Sequence, residues 1–414
     1  MIYLFLCLVW LLFNLKKSKV VLFLISIQLL SVLFALVSGM SYPVEKIEDI
    51  LHILFTFLIV YLFTNPLSLY DGRYIQNLND NNTIRKTAKL FNVFSFMAML
   101  LIIYVLVNIL PYLSNISDYR YGDGRNDLLE SLGINNNVIL LLTLLSCSGY
   151  FLITFHFFYM LNRDFKFSIY CLLGSFVIPI YGIMFLSRSY VILYIMAYAC
   201  NLLYFYKSLD TKSKARIVQI GTFAIALIST YFLFVTVNRF EGRSDFVFKM
   251  SNEWFSSRPV LASLVSYFSQ WYRNGLQILD TVGNDFYYGY FSLPYFYIFL
   301  QRVGLLDFGN QSFGVFSNLL YESVIPNHWP LFNGITAVLY VEFGYMGTVI
   351  LALIFNRILT SCIRKNKTNN NLSNILLVNV LYVLPSMSIV GFYLKTLFYT
   401  MLLIVSIFVC RKIR

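Results

Sequence analysis

Charge is what this chain has least of. Only 12% of its 414 residues are Asp, Glu, Lys or Arg, while 59% are hydrophobic; soluble domains carry roughly 25% charge. So little polar surface cannot coat an apolar core of this size in water, which excludes a large soluble fold and points to a bilayer as the solvent. Alternation with a period of two is missing, which excludes a membrane β-barrel, because the apolar runs here are continuous. Histidine is limited to three residues. The six cysteines lie within or at the ends of apolar runs, with no zinc spacing and no disulfide framework in the polar loops. A phosphate-cradling P-loop, a dinucleotide fingerprint and a nucleophile elbow are also missing.

What is present is a series of runs long enough to cross about 30 Å of hydrocarbon. The expected spans are Ile2 to Leu15, which is short, Val20 to Met40, Leu51 to Leu67, Phe91 to Leu110, Val138 to Met160, Ile169 to Leu186, Tyr190 to Tyr206, Ile217 to Val237, Ile335 to Phe355, Leu372 to Val390 and Lys395 to Cys410. The fold class is therefore all-α: a polytopic membrane protein of about eleven transmembrane helices, ten to twelve, forming one membrane domain. It divides into residues 1–237, with eight spans and an outer loop at 111–137; a large outer loop at 238–334, expected to carry short amphipathic or re-entrant helices; and 335–414, with three spans.

Charge sets the orientation. Alternate loops collect 20 of the 31 basic residues, among them Lys16, Lys17, Arg85, Arg163, Lys207, Arg364 and Arg411, together with only four acids, Asp71, Asp80, Asp164 and Asp210. By the positive-inside rule that side is cytoplasmic, which puts the N-terminus outside and the C-terminus inside. Loops on the basic side are too short for a nucleotide-binding domain. The net charge of +12 is dispersed in these clusters and not gathered in one patch, so no nucleic-acid partner is expected.

The same alternation explains Arg188, the single charge between Ile169 and Tyr206. It sits at an outward-facing hairpin tip, where it either snorkels to headgroups or grips an anion between two helix ends. The outer loops add Arg120, Arg258 and Arg273, and an aromatic set that includes Trp254, Trp271, Trp329 and Tyr288. Such rings either form an interfacial belt or stack on sugar faces beside anion-binding arginines. His52 and His156 read as packing residues. His328, seven residues before a span in the outer loop, can take a proton near neutral pH. Glu342, seven residues into that span, is an ionisable group at membrane depth, and Asp280 is a third candidate base.

The many-span plan, one long late outer loop, LSRSYVI around Arg188, and NGITAVLYVEFGYMG leading into a helix together resemble O-antigen and oligosaccharide repeat-unit polymerases of the Wzy type, with the GT-C-like plan they share with O-antigen ligases. The family's arginine-to-glycine spacing is not matched in the large outer loop, where Arg273 precedes Gly283 by ten positions and Arg302 precedes Gly314 by twelve. The resemblance implies a glycosyltransferase of the bacterial inner membrane, active at the periplasmic face. It would move a growing glycan from undecaprenyl pyrophosphate onto the non-reducing end of a lipid-linked repeat unit. It implies His328, Glu342 or Asp280 as base; Arg188, Arg120, Arg258 and Arg273 for pyrophosphate; Trp254, Trp271, Trp329 and Tyr288 for sugar; and neither metal nor cofactor. Partners would be lipid-linked repeat units as donor and acceptor, membrane lipids, a chain-length-regulating copolymerase and a flippase. The alternatives are an O-antigen ligase, a polyprenyl-phosphate-dependent GT-C glycosyltransferase with an acidic first loop at Glu45, Glu48 and Asp49, and, in another class, a lipid-linked oligosaccharide flippase.

Overall fold

A computed structural model describes residues 1–39, 41–72, 75, 78, 80–109, 134, 136–185, 189–219, 221, 230, 254, 258–282, 287, 289–290, 293–308, 320, 333–369, 371–388 and 396–413. The elements it shows are helices. Seven are long and apolar enough to cross a membrane: Lys19–Ser38, Ile47–Leu69, Asn82–Asn108, Asn137–Leu161, Phe165–Met184, Ser189–Ser208 and Gly334–Lys365; Ile2–Asn14 and Leu372–Leu381 are shorter apolar helices. The chain is a polytopic helical membrane protein. The expected span from Ile217 to Val237 falls mostly outside the described residues.

Two of the expected spans are each broken in two ahead of a proline. Phe165–Ser175 gives way to Val177–Met184, and Leu372–Leu381 to Val383–Ser386. In both cases the first piece ends four residues before a proline, Pro179 or Pro385. A proline has no N–H for the carbonyl four residues back and its ring crowds that carbonyl, so the helix stops there.

The chain forms two compact units. The first comprises Met1–Tyr70, Asp245–Ser361 and Tyr382–Thr400. Its centre is aromatic: Tyr3 lies edge-on to Phe57, Trp271 and Tyr272 at ring separations of 5.7, 5.9 and 5.5 Å. Helix Pro259–Thr281 does not stand off as a surface element; it packs along Lys19–Ser38, with Ser31 donating to the Phe268 carbonyl and receiving the Trp271 indole N–H. Two glycines let the same helix approach the start of Gly334–Asn369 closely. A Cβ at Gly275 would lie 2.6 Å from the Asn333 carbonyl oxygen, and Gly334, at φ +71°, lies against the Trp271 ring.

The second unit comprises Asp71–Ser244, Cys362–Leu381 and Met401–Arg414. A polar cluster ties three of its helices together: Asn379 Nδ2 donates to Thr154 Oγ1 at 2.7 Å and to Asn201 Oδ1 at 2.8 Å. All three side chains are buried, and in hydrocarbon such bonds and close packing replace the hydrophobic effect as the force between helices. At one end of this unit, every acid assigned above to the basic side meets a base. Asp71 pairs with Lys207 at 3.6 Å, Asp80 and Asp164 with Arg85 at 3.4 and 2.9 Å, and Asp210 with Arg163 at 3.6 Å. Those loops share one end, as the charge alternation requires.

Candidate functional site

Of the residues singled out by sequence, His328, Trp329, Tyr288, Arg188 and Arg120 lie outside the described residues. The remaining six, Glu342, Asp280, Arg258, Arg273, Trp254 and Trp271, are all in the first unit.

Trp254 is 52% exposed, and the Arg258 guanidinium lies over its ring at 4.2 Å, with Arg258 Nη1 also donating to the Trp254 carbonyl at 2.9 Å. Arg258 caps helix Pro259–Thr281 at its start and Arg273 sits fifteen residues further on. At 1.5 Å per residue they are about 22 Å apart along the axis, so they cannot grip one pyrophosphate together. Asp280 follows Arg273 by seven residues, two helical turns, on the same face. Trp271 is 2% exposed, held by Ser31 and boxed in by Tyr3 and Tyr272. Its surface is taken up by packing, which leaves no face for a sugar.

Glu342 is completely buried. It lies two residues before Gly344, whose φ of 61° and ψ of −173° interrupt helix Gly334–Asn369. That backbone region is open essentially to glycine alone. The Glu342 carbonyl accepts from the Tyr287 amide at 3.2 Å, and a Cβ on Gly289 would stand 3.7 Å from the Glu342 carboxylate. Tyr297 stacks edge-on with Tyr290 at 4.7 Å. Burial, then Tyr290 and Glu342 close by, push the Tyr297 phenol above its ordinary pKa, so it stays neutral. An acid at a helix break, closed over by aromatic residues of the preceding loop, is the arrangement expected where a membrane protein handles a polar ligand.

No family model matches the chain, and neither a curated protein nor a solved structure does.

Sequence reasoning missed one grouping. Asp49 sits in the first turn of helix Ile47–Thr64, where an acid is favoured by the free N–H groups and the helix dipole. Its Oδ2 accepts from the amides of Glu45 and Lys46, both at 2.8 Å, and its Oδ1 from the Tyr42 hydroxyl at 3.2 Å. His52 is one turn further along the same face, stacked on Tyr345 with ring centroids 6.2 Å apart. Asp280, arriving at the end of Pro259–Thr281, joins them: one donor atom from each of Asp49, His52 and Asp280 lies within 4.8 Å of the others. The signal in the sequence was the D-x-x-H spacing; the third member is more than two hundred residues away.

Proposed function

We propose that the chain is an integral-membrane glycosyltransferase of the O-antigen polymerase kind, acting on polyprenyl-diphosphate-linked glycans at the extracytoplasmic face. Glu342 is the observation that carries this reading. A fully buried carboxylate at a break in a membrane helix is costly to keep, and chemistry on a sugar hydroxyl gives it a use. In the step, the acceptor hydroxyl oxygen attacks the anomeric carbon of the donor and its proton passes to Glu342. The bond from that carbon to the diphosphate breaks, and lipid diphosphate departs with the electron pair. Guanidinium groups meet the charge that develops on it; Arg273, half-buried on helix Pro259–Thr281, is the described candidate, and Arg188 is the candidate from sequence alone. Exposed rings such as Trp254, with Arg258 laid across it, suit the flanking sugars.

The test is Glu342→Gln, which keeps shape and removes the base, expressed at unchanged level in a strain lacking the native copy. Glycan profiling should show the long-chain ladder replaced by single repeat units on the cell surface. A retained ladder refutes the assignment, and repeat units stranded inside the cell would mark a flippase.

A further inference from the structure

We propose that Asp49, His52 and Asp280 form a binding site for one divalent transition-metal cation, of the Zn2+ or Mn2+ class. The sequence suggested no metal and gave Asp280 a proton-transfer role; the geometry groups it instead with a second carboxylate and an imidazole. Three ligand atoms, each within 4.8 Å of the other two, come close to enclosing an ion. Metal–ligand bonds of about 2.0–2.2 Å place donors roughly 3 to 4.3 Å from one another, so the set closes with movements of less than about 1 Å per ligand.

The histidine supplies an independent indication. His52 is 9% exposed, and its buried Nδ1 has no hydrogen-bond partner among the described residues. An imidazole nitrogen kept from water without a partner is costly to bury, and a ring beside two carboxylates gains most from a shared cation. Support for Asp49 is also built in. Two backbone amides and the Tyr42 hydroxyl hold its carboxylate in place, the outer-layer fixing that ligating carboxylates ordinarily have. Tyr42 touches Asp280 as well, so one hydroxyl links the two carboxylates. Helical bundles build metal centres in this way, from an acid paired with a histidine three residues on and facing a carboxylate of another helix.

The chemistry of the donors sets the ion class. Two carboxylate oxygens and one imidazole nitrogen suit zinc or manganese, whereas magnesium and calcium prefer oxygen alone. Three protein ligands leave coordination positions open, and Asp280 is exposed, so those positions face the side from which a ligand can approach. On the reading proposed above, the donor diphosphate is the anion that would take them; binding of the ion itself goes beyond that reading and needs no glycan.

The experiment uses the full chain in detergent, freed of metal by chelation and dialysis, and titrated separately with Mn2+ alone, followed by loss of the free-ion EPR signal, and with Zn2+ alone, by calorimetry. Wild type should take up one ion per chain. Asp280→Asn and His52→Gln should each weaken binding roughly tenfold or more while leaving the helical circular-dichroism spectrum unchanged. Asp280→Asn is the cleaner of the two, because Asp280 is exposed whereas His52 is packed. Wild type that takes up neither Mn2+ nor Zn2+ overturns the site, as does wild-type affinity in both variants. Because no substrate is present, failure here leaves the glycan ladder assay of Glu342→Gln to stand or fall separately.

Discussion

Asn379→Ala tests what holds the second unit together. The wild-type amide reaches two side chains on two other helices, Thr154 at 2.7 Å on Asn136–Leu161 and Asn201 at 2.8 Å on Ser189–Phe205. Interhelical side-chain hydrogen bonds in membrane proteins average about 0.6 kcal/mol and reach about 1.7. Two such bonds give about 1–3 kcal/mol. The lower half of that range is expected, because Thr154 Oγ1 still donates to Asn201 Oδ1 at 3.2 Å and neither partner is stranded. Alanine should therefore destabilise by about 1–2 kcal/mol, read as an earlier midpoint when the protein in mixed micelles is unfolded reversibly with rising SDS. A double-mutant cycle with Thr154→Val isolates one bond and should return a coupling of roughly 0.6–1.7 kcal/mol. A loss under about 0.3 kcal/mol with no coupling would show that this unit is held by packing alone, and the argument from the polar cluster would fail.

Two further substitutions probe local geometry. Gly275→Ala would gain about 1 kcal/mol of helix propensity, but its Cβ would arrive 2.6 Å from the Asn333 carbonyl oxygen, a backbone atom that cannot swing aside. Overpacking of about 1–3 kcal/mol outweighs the gain, so a lowered thermal midpoint is expected, and a raised one would refute the close approach. Arg163, at φ 59°, closes the end of Asn136–Leu161 with its amide donating to Met160 and that of Asp164 to Tyr159, the hydrogen-bond pattern of a left-handed helix cap. Arg163→Gly should stabilise by about 0.5–1 kcal/mol, and by more in high salt, where the exposed pair with Asp210 at 3.6 Å is already screened; thermal midpoints that fall at both salt concentrations would count against it.

The helical membrane class was legible because unbroken apolar runs of span length are at home in lipid and have no way to be covered in a chain with so little charge. The ends of the helices were legible too: Asp71, Asp80, Asp164 and Asp210 were assigned to one side by counting charge, and each is found against a base there. Helix Pro259–Thr281 was not legible as part of the bundle. A hydropathy scan scores transfer of each side chain into lipid, and Ser269, Gln270 and Asn274 score badly, yet all three are buried against protein. His52 was read as a packing or helix-contact residue from its place at the head of an apolar helix. Its neighbours in space include two carboxylates, one of them contributed by a segment that no local pattern connects to it. Glu342 was found from depth alone, while the interruption at Gly344 beside it was not anticipated, since a single glycine in an apolar run rarely breaks a helix.

That interruption changes how the last long element meets the bilayer. Taken straight, the apolar stretch Gly334–Lys365 has 32 residues, about 48 Å, well beyond the roughly 30 Å of a hydrocarbon slab. Divided at Gly344, it becomes a stub of about 15 Å and a rod of about 32 Å, and the rod alone matches the slab. Glu342 then belongs to the stub, so its carboxylate stands at the doorway of the crossing helix and not two turns inside it. On the function proposed above, the polar head group of a polyprenyl-linked substrate would meet it there while the tail stays among the lipid chains.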